Sequence, residues 1–134
     1  MMPIPKPLRL AVLACVFAGP ALAQQAPKPE TLIKQRQSSF RVIAWNSGRI
    51  KSGLDGCYDK EQVLRSANVI AAIANSGLGG LFPTGTETGK GWHDTTARPP
   101  LFTSSARFAE LGGAFAKEST ELVRVVSAGA VLPR

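Results

Sequence analysis

The chain has 134 residues, 44% of them hydrophobic, and a formal charge of +7. That is material for one small domain with one modest core and not for two. Two cysteines and a single histidine fall short of a structural zinc cluster, which needs about four nitrogen or sulfur ligands.

At the N-terminus Lys6 and Arg9 precede an apolar run from Leu10 to Phe17, and Ala21-Leu22-Ala23 offers small residues to a processing enzyme. This is the pattern of a cleaved secretory signal peptide over residues 1–23, which places the mature protein in the periplasm. A lipid-modified Cys15 is the rival reading; the bulk of Leu13 and the shortness of the run before Cys15 stand against it. No stretch approaches the ~18 apolar residues of a membrane span, so none is expected. Cleavage leaves residues 24–134, 111 in all, and takes the charge from +7 to +5 by removing Lys6 and Arg9. A mild basic excess favours acidic partners or anionic surfaces, and export sets nucleic acid aside. Cys57 becomes the only thiol of the mature chain, which excludes an internal disulfide.

The mature chain carries helical periodicity and no strand signal. Pro29 and Glu30 open a first helix that is expected to run to about Lys51, before Gly53. Ile33, Phe40, Ile43, Ala44 and Ile50 form its apolar stripe. Arg36 and Gln37 interrupt that face one turn before Phe40, and a charge there needs a partner. Asp59 is the expected N-cap of a second helix, with Gln62 in the reciprocal capping place and Val63, Ala67, Ile70 and Ala74 facing inward. Asn75 and Gly77 close it. A third helix is expected from Thr103 or Ser104 to Gly129, burying Phe108, Leu111, Phe115, Leu122 and Val126. Between the second and third helices, Ser76 to Leu101 is rich in Gly, Thr and Pro. A connection of that length is a functional segment or a crossover rather than a simple turn.

These elements describe an all-α antiparallel bundle. A bundle with its long crossover after the second helix ordinarily has a fourth member. The sequence ends at Val131-Leu132-Pro133-Arg134 without a further helical pattern, so the expectation is an incomplete bundle or one completed by another chain.

The residues also resemble a family. Lys34-Gln35-Arg36-Gln37-Ser38-Ser39-Phe40 is similar to the first-helix motif of the cytochrome c prime family. Gly48-Arg49 resembles the family's Gly-Arg late in that helix, and Tyr58-Asp59 its approach to helix two. Leu81-Phe82-Pro83-Thr84-Gly85-Thr86-Glu87 resembles the Phe-Pro-x-Gly-Thr-Glu turn. Ala97-Arg98-Pro99 with Leu101-Phe102 resembles the approach to helix three. The resemblance covers nearly all of residues 28–128. It implies a periplasmic four-helix bundle with covalently bound haem c, used for electron transfer or for binding a small gas, and not an enzyme. Carried over, Arg36 and Gln37 would lie beside the haem propionates, Phe40 would cap the distal face, and Thr86 and Glu87 would border the haem edge. The family's Cys-x-x-Cys-His attachment motif has no counterpart in residues 1–134. The resemblance therefore describes a cytochrome c prime truncated before its haem-attachment helix. No protein metal ligand is assigned.

Plainer readings stand beside these. Arg36 can pair with Glu110 or Glu118 of a neighbouring helix. Phe40, Phe108 and Phe115 can be core rather than pocket. His93, in the loop from Gly89 to Pro99 beside Trp92 and Asp94, reads as a solvated side chain before a ligand. Cys57 reads as a free thiol or an intermolecular disulfide before a thioether. Thr84 to Gly91 lacks the Gly-Lys-Ser/Thr ending of a phosphate-binding loop. Two functions follow: a c-type cytochrome with a redox partner protein, or a haem-free periplasmic helical interaction protein that forms a homodimer.

Overall fold

The computed structural model describes residues 26–129; the expected signal peptide lies outside them. Helix α1 spans Pro29–Asp55, α2 Lys60–Ala74, α3 is a single turn at Pro100–Thr103, and α4 spans Ser105–Ser127. A 3-10 turn at Leu78–Leu81 follows α2. The expected bundle of three long helices is therefore present, and among the described residues the extended pairing is one isolated bridge, Lys90 with Asp94.

Pro29 occupies the first turn of α1, where its missing N–H costs nothing. The helix does not stop before Gly53 but runs through it to Asp55. A Cβ at Gly53 would stand 2.8 Å from Val63 Cγ2, so this glycine serves close approach of α1 to α2 instead of chain termination. Asp59 caps α2 as expected, its side chain accepting from the Gln62 N–H at 3.0 Å. The Gln62 side chain makes no reciprocal cap. It reaches α1, donating to the Arg49 carbonyl and accepting from Arg49 Nη2, both at 3.3 Å. Asn75 ends α2, and Gly77 follows in the left-handed region at φ 80°.

Helix α2 lies between α1 and α4 and packs against both. Ile33, Val63, Ala67, Ile70 and Val126 are its buried apolar core. Beyond α2, a trough runs along the bundle, its floor at Ile70 and its walls at Ile50 of α1 and Phe115 and Leu122 of α4. Leu111, expected inside, is 50% exposed, and Phe40 is 48% exposed. Both stand on parts of their apolar stripes that the described residues leave half open, because α1 and α4 are held apart by the width of α2.

Candidate functional site

The crossover from Ser76 to Pro99 is fastened to the first half of α1 by consecutive side chains. Arg36 is 3% exposed. Its Nη1 donates to Thr86 Oγ1 at 2.9 Å and to the Leu81 carbonyl at 3.5 Å, and its Nη2 donates to the Thr86 carbonyl at 2.7 Å and Thr95 Oγ1 at 2.5 Å. Thr86 Oγ1 in turn donates a hydrogen bond to the Pro83 carbonyl at 2.8 Å. Phe82 and Phe102 have ring centres 5.0 and 5.9 Å from the guanidinium carbon, so two aromatic rings lie within cation–π reach of the charge. Burial pulls the Arg36 pKa below its ordinary value, and the nearby Glu87 carboxylate acts in the opposite direction. The partner that this charge needs is thus a set of loop oxygens; Arg36 makes no ion pair with Glu110 or Glu118, and Glu110 pairs with Arg107.

Gln37 continues the attachment. Its Oε1 accepts from the Trp92 N–H at 2.8 Å, and its Nε2 donates to the His93 carbonyl at 2.9 Å. Trp92 Nε1 donates to Ser38 Oγ at 2.8 Å. This approach requires Gly91, since a Cβ there would meet Ile33 Cγ2 at 2.8 Å and the Lys34 backbone nitrogen at 2.9 Å. Arg36-Gln37-Ser38 is therefore a three-residue clamp, each member holding a different stretch of the crossover.

The clamped loop, α1, α3 and the start of α4 border an open-sided cavity of about 360 Å³. Phe40, Phe82 and Phe108 provide apolar wall, and Arg36, Gln37 and His93 provide its polar border. Phe82 is the aromatic hub, with ring centroids 5.0 Å from Phe108 and 6.3 Å from Phe40. Of the residues singled out in the sequence, Arg36, Gln37, Phe40 and Phe108 converge on this cavity, and Phe115 does not. Thr86 is fully buried behind Arg36, and Glu87 folds onto the Gly85 N–H at 2.7 Å; neither is in the lining. His93 is exposed, as its loop position suggested, yet it stands on the cavity border. Thr95, Thr96 and Leu101 complete the wall. They lie in the motif-bearing crossover, but nothing in their periodicity marks them. Cys57 is exposed in the α1–α2 turn and outside the cavity lining.

The sequence model of the Cytochrome C' family matches residues 31–131, a span that contains the clamp, the cavity and the three long helices apart from the first two residues of α1. The chain belongs to the cytochrome c' family. A cytochrome c' of Rhodocyclus tenuis is 50% identical over 103 residues, covering 76% of this chain and 77% of that protein. The cytochrome c' of Allochromatium vinosum is 38% identical over 118 residues, 88% of this chain and 76% of its own. Among solved structures, the cytochrome c' of Thermochromatium tepidum superposes with a TM-score of 0.73 at 38% identity, covering 77% of this chain and 79% of that one. A cytochrome c' described as having ligand-controlled dimer dissociation gives 0.74 at 36% identity, with 78% and 79% covered. Family membership makes the chain's general role that of a c-type cytochrome, with haem c as the group the family implies.

Proposed function

We propose that residues 24–134 form the haem-lining part of a periplasmic cytochrome c', carrying electrons or binding a small gas rather than catalysing a reaction. The cavity carries this reading. Its three phenyl rings suit the flat face of a porphyrin, and Arg36, Gln37 and His93 on its border suit carboxylates that would be costly to bury alone. These residues fit one face and one edge of the group. Haem c bound there would supply an iron for one-electron exchange or gas coordination. Phe40 has no lone pair to offer an iron, so with haem bound this wall would leave room for an exogenous molecule on that side. Arg36 and Gln37 do double service, since the clamp that orders the loop also sets the polar border. Thr86 and Glu87 act behind the wall, Thr86 by fixing Arg36 and Glu87 by its charge.

Covalent attachment is not supplied by residues 1–134, which contain no Cys-x-x-Cys-His; in this reading the attaching helix lies in a segment outside them. Reading the gene beyond the Arg134 codon in all three frames tests that point. The haem site itself is tested by titrating the purified chain with haemin. A saturable Soret band, weakened at least tenfold by Phe108→Arg in the cavity wall, is the expected result. No band, or a band indifferent to Phe108→Arg, overturns the reading. N-terminal sequencing of exported protein, expected to begin after Ala23, tests the signal peptide.

The exposure of Phe40 and Leu111, 48% and 50%, favours a second reading: a haem-free helical protein that forms a homodimer across the trough. Colourless protein whose dimer is broken by Leu111→Glu would select it. Under the first reading the partner is a redox protein instead.

A further inference from the structure

The polar border of the cavity has more nitrogens than free donors. Arg36 commits Nη1 to Thr86 Oγ1 and the Leu81 carbonyl, and Nη2 to the Thr86 carbonyl and Thr95 Oγ1, which leaves its Nε–H on a residue 3% exposed. Gln37 has both ends of its amide engaged, Oε1 by the Trp92 N–H and Nε2 by the His93 carbonyl. Thr95 and Thr96 bring neutral hydroxyls to the lining. His93, the one histidine of the chain, differs from all of these: it is exposed, and no described residue hydrogen-bonds its Nε2.

The way the ring is held decides what Nε2 presents. Nδ1 lies 2.8 Å from the Asp94 carbonyl and 3.3 Å from Gln37 Nε2. A carbonyl can only accept, so the shorter contact assigns the proton of the neutral ring to Nδ1. Nε2 is then a bare acceptor, which repels a carboxylate. Protonation keeps the Nδ1–H on Asp94 and places the new N–H on Nε2, turning that atom into a charged donor. The charged groups around it are Arg36 on the same border, with Glu87 acting on it, Lys34 of α1 against Trp92, and Lys90 and Asp94, bridged across the hairpin that carries His93. Helices α3 and α4 bring Leu101 and Phe108 to the cavity and no charge. Carboxylate, ammonium and guanidinium side chains as classes keep their charge between about pH 6 and 8, whereas histidine as a class changes its charge there.

We infer that His93, in its protonated form, is the border residue that binds a carboxylate of the porphyrin, so the cavity selects carboxylate-bearing ligands and holds them more tightly as pH falls. This rests on the haem-site reading above: Arg36 contributes positive field, and His93 contributes the free donor. The test titrates the purified chain with metal-free protoporphyrin IX, which excludes iron–imidazole bonding, and with its dimethyl ester, which has no carboxylate, reading porphyrin fluorescence at about pH 6 and pH 8. Protoporphyrin IX is expected to bind about fivefold more tightly at pH 6, the upper range for an exposed ion pair, and the ester equally at both. His93→Gln removes the pH dependence, whereas His93→Lys, charged throughout, keeps the tighter binding at pH 8. Neither variant should move the urea midpoint, because the loop is anchored to Gln37 through the His93 backbone carbonyl. A pH dependence that survives His93→Gln, or that the ester shares, overturns the inference and leaves the haem site standing. Failure of both porphyrins to bind overturns the haem-site reading, and this inference with it.

Discussion

Around Gly53, α1 meets α2 by close approach to the Val63 side chain, with the Arg49–Gln62 hydrogen bonds one turn earlier, whereas around Arg36 it meets the crossover through hydrogen bonds from a buried cation. An apolar seam yields by degrees: a lost methyl leaves a small cavity and neighbours relax into part of it. A polar clamp around a buried cation yields abruptly, because a missing donor strands the buried Thr86 oxygens away from water. The lower half of α1 therefore confers stability, and the upper half confers a single conformation on a long glycine-rich loop.

Removing the guanidinium breaks this contrast most severely. Arg36→Met keeps much of the apolar stem but leaves the Leu81 and Thr86 carbonyls without their donor, at a cost of ~3 kcal/mol in urea-unfolding free energy. Arg36→Lys is expected to rescue little, because one ammonium cannot span Thr86 and Thr95 as a planar fork does. Full stability in both variants would show that the loop holds itself and the clamp is incidental.

Gly91→Ala attacks the same region from the loop side. Its methyl would meet the backbone nitrogen of Lys34, which cannot swing away, so the contact is relieved by lifting the loop. A destabilisation of about 2 kcal/mol is expected from overpacking. Faster proteolysis between Thr88 and Ala97, with α1, α2 and α4 intact, would localise the effect.

Gly53→Ala probes the apolar seam, and its net cost is expected to be near 1 kcal/mol. Overpacking against Val63 costs ~1–3 kcal/mol, and replacing a helical glycine returns ~1 kcal/mol. Because the offending atom belongs to a side chain, Val63→Ala should relieve it, and the double variant should cost less than the sum of the singles. Strict additivity would mean that α1 and α2 do not touch there.

The sequence made the helices legible for the reason that the seam is graded: repeated apolar positions and caps such as Asp59 report many small local preferences that agree. Gly53 misled because glycine ends helices and also permits close approach, and only the position of Val63 distinguishes the two. Leu111 misled because periodicity identifies a stripe without saying whether a neighbour covers it. Arg36 was visible as a charge requiring a partner, but its acceptors lie 45 to 59 residues away in a segment with no period. Thr95 became cavity wall through that same attachment, and no local pattern announced it; Phe82 and Leu101 stood in quoted motifs, but nothing local gave them a place in the wall.

The smallest expected effect contrasts Arg36 with another arginine. Arg124 donates to both oxygens of Glu121, at 2.5 and 2.8 Å, distances that match the shortest Arg36 contacts. The bond holds the Glu121 carboxyl below its ordinary pKa and raises that of Arg124. A lowered carboxylate value means that any stability it confers is present above the ordinary carboxylate range and fades as acidification passes through the folded value. Yet the pair lies on the open side of α4, where salt screens it and holding two long side chains together costs entropy. Glu121→Gln should therefore leave the urea midpoint at pH 7 within experimental error, and the acid limb of the stability profile nearly superimposable on that of the parent. A clear loss at pH 7 that 0.5 M salt abolishes would make this exposed pair a contributor. It would then be wrong to treat burial, rather than bond length, as what separates the two arginines.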